Sequence, residues 1–150
     1  MTEANGEAND PYHLQRFVDA QDRVYDAVLG ELRSGKKRSH WIWFVFPQLR
    51  GLGHSPTAVR YGISSLEEAR AYLAHHVLGP RLRECARLLA RIDGRSADEI
   101  FGWPDTLKVA SSMTLFARAT DEDAEFRAVL DTFYNGEDDP ATVQRLSQAR

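Results

Sequence analysis

The run from Trp41 to Phe46 constrains this chain most, because six consecutive apolar residues, including two tryptophans and two phenylalanines, must be shielded from water. Pro47 ends the run. Since every position is apolar, the pattern alone does not distinguish a buried strand from a buried helix. The run is also far shorter than the roughly 20 residues that span a bilayer. We therefore expect it in the core of a folded domain, and the helical patterns around it favour a helix.

Apolar residues recur at the spacing of an amphipathic helix along most of the remaining sequence. A first helix is predicted to follow Pro11, to run to about Ser34 and to end at Gly35. Capping residues and prolines predict further helix starts at Ser55-Pro56, Ser65, Pro80, Ser96, Pro104, Asp121 or Asp123, and Asp139-Pro140. About seven helices with short connections predict an all-α fold.

The domain organisation is simple. Residues 1–10 are small, polar and acidic, which predicts a disordered N-terminal tail. Residues 11–150 have the length of a single domain and contain no linker or repeat that would divide them. We expect one compact multihelical domain.

Composition narrows the classes of function. A net charge of −3 gives no general reason to expect a nucleic-acid partner, and no apolar run suits a membrane. The single cysteine, Cys85, excludes an internal disulfide and fits a reducing compartment. No secretory signal precedes the domain, so a cytoplasmic location is expected. The five histidines lack metal-ligand spacing, and we predict no metal and no cofactor.

Polar residues bracket the aromatic run, with His40 before it and Gln48 after it. Small-molecule pockets are commonly apolar walls with a few convergent polar groups. Trp41 and Trp43 are therefore candidate pocket residues. The alternative is that the aromatic rings belong to the core and that His40 caps or hydrogen-bonds the backbone.

A polar stripe interrupts the otherwise apolar helix that is predicted after Pro104. It contains Lys108, Ser111 and Ser112. A lysine in a buried setting requires an anionic partner, and Asp105 stands three residues before it. The stripe therefore predicts either a salt bridge or a binding site for an anion such as phosphate.

Three further residues are candidates for the same site. Gln21 falls within the apolar face of the first helix, where its amide requires a hydrogen-bond partner or faces a pocket. Arg60 and Tyr61 follow a short predicted helix and suit the orientation of an anionic ligand. The alternative for Arg60 is a surface position.

Seven segments carry a resemblance to a known family: Ser39–Gln48, Gly51–Ser55, Tyr61–Ile63, Ala71–His75, Leu78–Leu82, Phe101–Asp105 and Lys108–Phe116. In these segments the chain resembles the bacterial domain-of-unknown-function family numbered 1810. The resemblance implies an all-α, multihelical fold and no established activity. Some members carry the label calpastatin, which conflicts with a chain whose periodicity is that of a compact domain. Residues that recur in the family include several of the candidates: Gln21, His40, Gln48, Tyr61, Asp105, Lys108, Ser111 and Ser112.

The leading hypothesis is a small-molecule binding domain with a pocket between the His40–Gln48 segment and the Lys108–Ser112 stripe. A small anionic ligand, phosphate-bearing or nucleotide-like, would suit both. A first alternative is a hydrolase acting on a nucleotide or ADP-ribose-type glycosidic bond, with Asp105 or His40 as acid or base and Lys108 steadying negative charge. A second alternative is a protein-interaction module that exposes some of its aromatic residues.

Overall fold

Ten helices form the fold of residues 10–148, the part of the chain that the structure, a computed structural model, describes. Within these residues there is no strand, only an isolated parallel bridge between Leu49 and Ile63. None of the helices is long and apolar enough to cross a membrane. The helices are α1 (Gln15–Asp22), α2 (Tyr25–Ser34), α3 (Ile42–Val45), α4 (Pro56–Arg60), α5 (Leu66–Ala74), α6 (Leu78–Ala90), α7 (Ala97–Phe101), α8 (Asp105–Ala119), α9 (Ala124–Phe133) and α10 (Pro140–Gln148). The predicted all-α fold is confirmed.

Helix α8 is the centre of the core. All residues from 109 to 117 are buried, because α3, α5, α7, α9 and α10 pack around this helix. Its Phe116 ring lies 5.1 Å from the Tyr72 ring of α5 and 6.1 Å from the Phe126 ring of α9. The apolar pattern around most of this helix had predicted such burial. Because the helix is buried, its hydroxyl groups are enclosed.

The predicted first helix is in fact two helices, α1 and α2. The chain turns at Arg23 and Val24, where Val24 has a φ of −132° and a ψ of 0°. Helix α1 also begins later than expected, at Gln15. Asp10 explains this start, because its carboxylate accepts hydrogen bonds from the backbone N–H groups of Leu14 and Gln15. Asp10 is therefore part of the fold, and residues 1–9 of the predicted tail lie outside the described residues.

The aromatic run forms the short helix α3, as the helical surroundings predicted. Trp41, Ile42, Val45 and Phe46 are buried in the core, while Trp43 is half-buried. The turn of the helix therefore gives the run an inner face and an outer face, and only the outer face is available to a ligand.

The three predicted serine caps are present, whereas α6 begins at Leu78, two residues before the predicted start at Pro80. Ser96 and Glu99 form the complete capping box of α7, with each side chain bonded to the other residue's backbone. At α5 the box is half-formed, since Ser65 caps the helix but Glu68 turns away. The Glu68 carboxylate instead accepts hydrogen bonds from Ser64 and forms a salt bridge with Arg16.

Candidate functional site

Asp105 joins two lysines at the start of α8. Its carboxylate oxygens lie 2.9 Å from Lys37 Nζ and 3.1 Å from Lys108 Nζ. The salt bridge that the three-residue spacing of Asp105 and Lys108 predicted is therefore present. We call Lys37, Asp105 and Lys108, with the two indole rings they meet, the lysine–aspartate cluster.

Each ammonium group of the cluster also lies over a tryptophan. Lys108 Nζ is 5.0 Å from the Trp43 ring centroid, and Lys37 Nζ is 5.5 Å from the Trp41 ring centroid. Trp43 and Lys108 thus meet, as a shared pocket requires, but each ammonium group already has an anionic and an aromatic partner. Lys37 was not among the residues predicted for the site, because its place in the basic run before the aromatic segment was its only signal.

Glu31 on α2 fixes the loop that leads into the cluster. Its carboxylate accepts hydrogen bonds from the backbone N–H groups of Arg38 and Ser39, from the Ser39 hydroxyl and from Trp41 Nε1 at 2.9 Å. Burial alone would raise the pKa of Glu31, but these hydrogen bonds outweigh it and lower the pKa to about 2. The Trp41 ring and its N–H group are therefore committed to the protein itself.

The two serines of the polar stripe, Ser111 and Ser112, are both buried inside the protein. The Ser111 hydroxyl donates to the Leu107 carbonyl and the Asp139 carboxylate, each at 3.0 Å. Asp139 in turn accepts the backbone N–H of Thr142 in the first turn of α10. The Ser112 hydroxyl is fully buried and has no hydrogen-bond partner among residues 10–148. Ser111 thus connects α8 to α10.

His40 and Gln48 bracket the aromatic run. Among residues 10–148, no contact places their side chains in a common cavity. His40 is exposed. Gln48 lies beside the backbone of Gly53, where an added Cβ would come within 3.0 Å of Gln48 Nε2. The same Cβ would lie 2.8 Å from the Ala58 Cβ, and this closer approach requires a glycine at position 53.

A groove on another side of α3 brings together basic and aromatic side chains. It has a volume of about 330 Å³ and is lined by His13, Arg16, Asp19, Ala20, Arg23, Val24, Phe44, Arg60 and Tyr61. We call it the arginine–aromatic groove. It joins α1 and the following turn to Phe44 of α3 and to the end of α4, and it includes two of the predicted residues, Arg60 and Tyr61.

Aromatic rings form one wall of the groove. The Phe44 and Tyr61 ring centroids are 5.3 Å apart and tilted by 58°, and the buried Phe17 ring lies 5.8 Å from Tyr61. The Arg60 guanidinium carbon is 5.4 Å from the Tyr61 ring centroid. The groove therefore offers aromatic ring surface with a cation beside it.

Gln21 supports this wall from within the core. Its Nε2 donates to the Phe44 carbonyl at 2.6 Å and to the Tyr72 hydroxyl at 3.0 Å, and its Oε1 accepts from Arg81 at 3.4 Å. These bonds satisfy the buried amide, as the sequence predicted they must. Gln21 is a positioning residue for Phe44 rather than a residue of the groove surface.

The three arginines of the groove differ in how fully they are used. Arg16 donates to the carbonyls of Arg60 at 2.8 Å and Gly62 at 3.1 Å, and it pairs with Glu68 at 3.1 Å. Arg23 and Arg60 are exposed, and neither forms a salt bridge within residues 10–148. His13, Arg16 and Arg23 were not predicted from the sequence. The pattern of residues 13–23 does not distinguish them from surface residues of an amphipathic helix.

Metal chemistry finds no support in the arrangement of side chains. Across residues 10–148, no group of three or more His, Cys, Asp or Glu side chains is placed to hold a metal ion.

Cys85 is fully buried, and burial raises the pKa of its thiol to about 12. A thiol in this state is not a nucleophile at neutral pH.

Comparison with known proteins identifies the family. Residues 11–146 match the model of the family described as "Protein of unknown function (DUF1810)". A search of curated proteins finds no match. The chain is similar to the conserved hypothetical protein Rv1873 from Mycobacterium tuberculosis, whose crystal structure was solved at 1.38 Å. The two chains are 63% identical, the TM-score is 0.91, and the match covers 92% of this chain and 99% of the other. The protein therefore belongs to the DUF1810 family, as its aromatic segment and the motifs around it had indicated.

Proposed function

We propose that the protein binds a small ligand that carries both a phosphate group and a flat ring, and that the ligand occupies the arginine–aromatic groove. One observation carries the proposal: Arg23 and Arg60 line the same groove as Phe44 and Tyr61. Within the described residues these two guanidinium groups have no salt-bridge partner. Two cations without a salt-bridge partner among the described residues, beside a wall of aromatic rings, match a ligand with a charged end and an aromatic end.

The chemistry of each group supports this class of ligand. Guanidinium groups bind phosphate through parallel hydrogen bonds and also stack on aromatic rings. Phe44 and Tyr61 present ring surface on which a nucleobase or a similar ring could stack. The volume of about 330 Å³ lies at the lower end of the range for small-molecule sites. A mononucleotide-sized ligand fits these limits better than a larger one.

This proposal moves the ligand from the location that the sequence favoured. In the lysine–aspartate cluster, Asp105 neutralises part of the charge of two lysines, and Lys108 already rests on Trp43. A phosphate at that place would have to displace Asp105 or bind beside it. The cluster is accordingly the second location to test.

Neither alternative class of function gains comparable support. The hydrolase hypothesis assigned acid–base roles to Asp105 or His40, and neither lines the groove. For an interaction module, the relevant residues are Trp103 and Leu107, which are 73% and 47% exposed. They are four residues apart, but two side chains supply little of the roughly 800 Å² per partner in a standard interface.

A thermal-shift screen against AMP, ADP-ribose and sugar phosphates tests the proposal. A ligand at about one hundred times its Kd should stabilise the fold by about 2.7 kcal/mol. We expect this stabilisation in the wild-type protein and in Lys108→Ala, and its loss in Arg60→Ala. Truncating Arg60 leaves in place the backbone carbonyl that Arg16 binds.

Arg70→Ala, which removes an exposed arginine of α5 outside the groove, is the matched control and should keep the full shift. A shift that survives in Arg60→Ala but vanishes in Lys108→Ala would place the ligand at the lysine–aspartate cluster instead. If no ligand of the panel stabilises the wild-type protein, the proposed function is wrong for this class of compounds.

A further inference from the structure

His13 has a backbone conformation that its residue type disfavours. Its φ is 53°, in the left-handed region, where a Cβ crowds the following carbonyl oxygen. Among residues 10–148, Asn135 is the other non-glycine residue with positive φ, at 58°. Glycine adopts this conformation without the steric contact. For the backbone alone, glycine would therefore be the better residue at position 13.

The hydrogen bonds that define this turn, within the residues that the structure describes, do not involve the imidazole ring of His13. His13 N donates to the Asp10 carbonyl at 3.1 Å, and the His13 carbonyl accepts from Arg16 Nη1 at 2.9 Å. The same Arg16 atom donates to the Tyr12 carbonyl at 2.7 Å. None of these bonds involves the side chain of residue 13, and a glycine there would preserve every one of them.

The imidazole ring is also not part of the core. His13 is exposed, and it lines the groove together with Arg23 and Arg60. Strained residues concentrate at functional sites, where the surrounding structure holds them for the sake of the side chain. Because His13 is exposed, burial of its side chain does not offset this strain.

We infer that His13 is a ligand-binding residue that donates a hydrogen bond to the phosphate group of the groove ligand, at a cost in the stability of the fold. The inference rests on the proposed function and deepens it. Imidazole N–H groups are donors that suit phosphate oxygens, and the guanidinium groups of Arg23 and Arg60 supply the charge beside it. His13, Arg23 and Arg60 then form the end of the site that binds the phosphate group. The Phe44 and Tyr61 rings form the other end.

The test measures stability and binding on the same variants. His13→Gly should raise the melting temperature by roughly 2–4 °C, because it relieves the left-handed strain. It should also raise the Kd for AMP and for inorganic pyrophosphate about tenfold, the loss expected for one hydrogen bond to a charged group. His13→Ala should weaken binding equally with no gain in melting temperature, since alanine keeps the strain.

Asn135→Gly is the matched control, because it relieves the other left-handed residue away from the groove, and it should leave both Kd values unchanged. A His13→Gly melting temperature at or below the wild-type value overturns the inference whatever binds. Wild-type affinity in His13→Gly and His13→Ala overturns it while the proposed function stands. A loss confined to AMP would assign His13 to the ring of the ligand and overturn the phosphate assignment. No binding of either probe to the wild-type protein overturns the proposed function and the inference together.

Discussion

The lysine–aspartate cluster and the arginine–aromatic groove use the same kinds of side chain in opposite ways. In the cluster, Lys37 and Lys108 share the carboxylate of Asp105, and both ammonium groups lie over tryptophan rings. In the groove, Arg23 and Arg60 line an open volume beside aromatic rings and form no salt bridge with any described residue. The two regions therefore differ in how their cations are partnered: the described residues neutralise the charge in the cluster and provide no salt-bridge partner for it in the groove.

The largest effect should follow from breaking the cluster with Asp105→Ala. The change leaves Lys37, whose side chain is 8% exposed, without an anionic partner in a largely desolvated position. We expect a loss of about 2–3 kcal/mol in the free energy of unfolding, measured by urea denaturation. Adding Lys37→Met should restore part of the loss, because it removes the unpaired charge.

Asp93→Ala, at an exposed carboxylate between α6 and α7, is the control and should change stability by less than about 0.5 kcal/mol. Equal stability of Asp105→Ala and Asp93→Ala would mean that the cluster is not a structural ion pair, and the contrast with the groove would collapse.

A smaller effect should appear when pH removes the charge of Glu31, which holds the loop before the cluster. Its pKa is about 2 in the folded protein and near 4.5 in the unfolded chain, so its contribution is complete above pH 4.5. That contribution is lost as the pH falls from 4.5 towards 2. After allowance for solvent screening we expect it to be about 1–2 kcal/mol.

Urea midpoints measured between pH 6 and pH 3 check this expectation. Glu31→Gln should be less stable than wild type at pH 6, and the difference should shrink at pH 3. Parallel pH profiles for the two proteins would show that the hydrogen bonds to Ser39 and Trp41 do not depend on the charge of Glu31.

The smallest effect is expected in the groove. Arg23→Ala and Arg60→Ala remove exposed guanidinium groups without salt bridges to described residues, so each should change the free energy of unfolding by less than about 0.5 kcal/mol. Urea denaturation beside Asp105→Ala gives the comparison directly. A loss above 1.5 kcal/mol in either variant would show that these arginines are structural, as the lysines of the cluster are.

The fold was predictable to the extent that it depends on local patterns. Apolar spacing, the serine caps at residues 55, 65 and 96 and the glycine at position 35 act within one or two turns, and each is found where the sequence indicated. The break between α1 and α2 was not predictable, because the apolar face continues across it. Neither a proline nor a glycine stands at the turn, so no local residue signal marks it.

In the candidate site, too, local contacts were predictable from the sequence and long-range contacts were not. The pairing of Asp105 with Lys108 follows from their spacing on one helix, whereas Lys37 reaches Asp105 from 68 positions earlier in the chain. The groove collects residues from 13–24, 44 and 60–61, and no short-range pattern connects these three segments. Gln21 was recognisable as a buried amide, but its partner, the Phe44 carbonyl, was not.

If a ligand occupies the groove as proposed, the side chain of Arg16 has a consequence for the time course of its binding. One guanidinium group ties the turn at Tyr12 and His13 to the carbonyls of Arg60 and Gly62, so the two walls of the groove are fastened together before any ligand arrives. A preorganised site loses little conformational entropy when it is filled. Association should therefore proceed as a single diffusional encounter, and differences between ligands should appear in how slowly they leave.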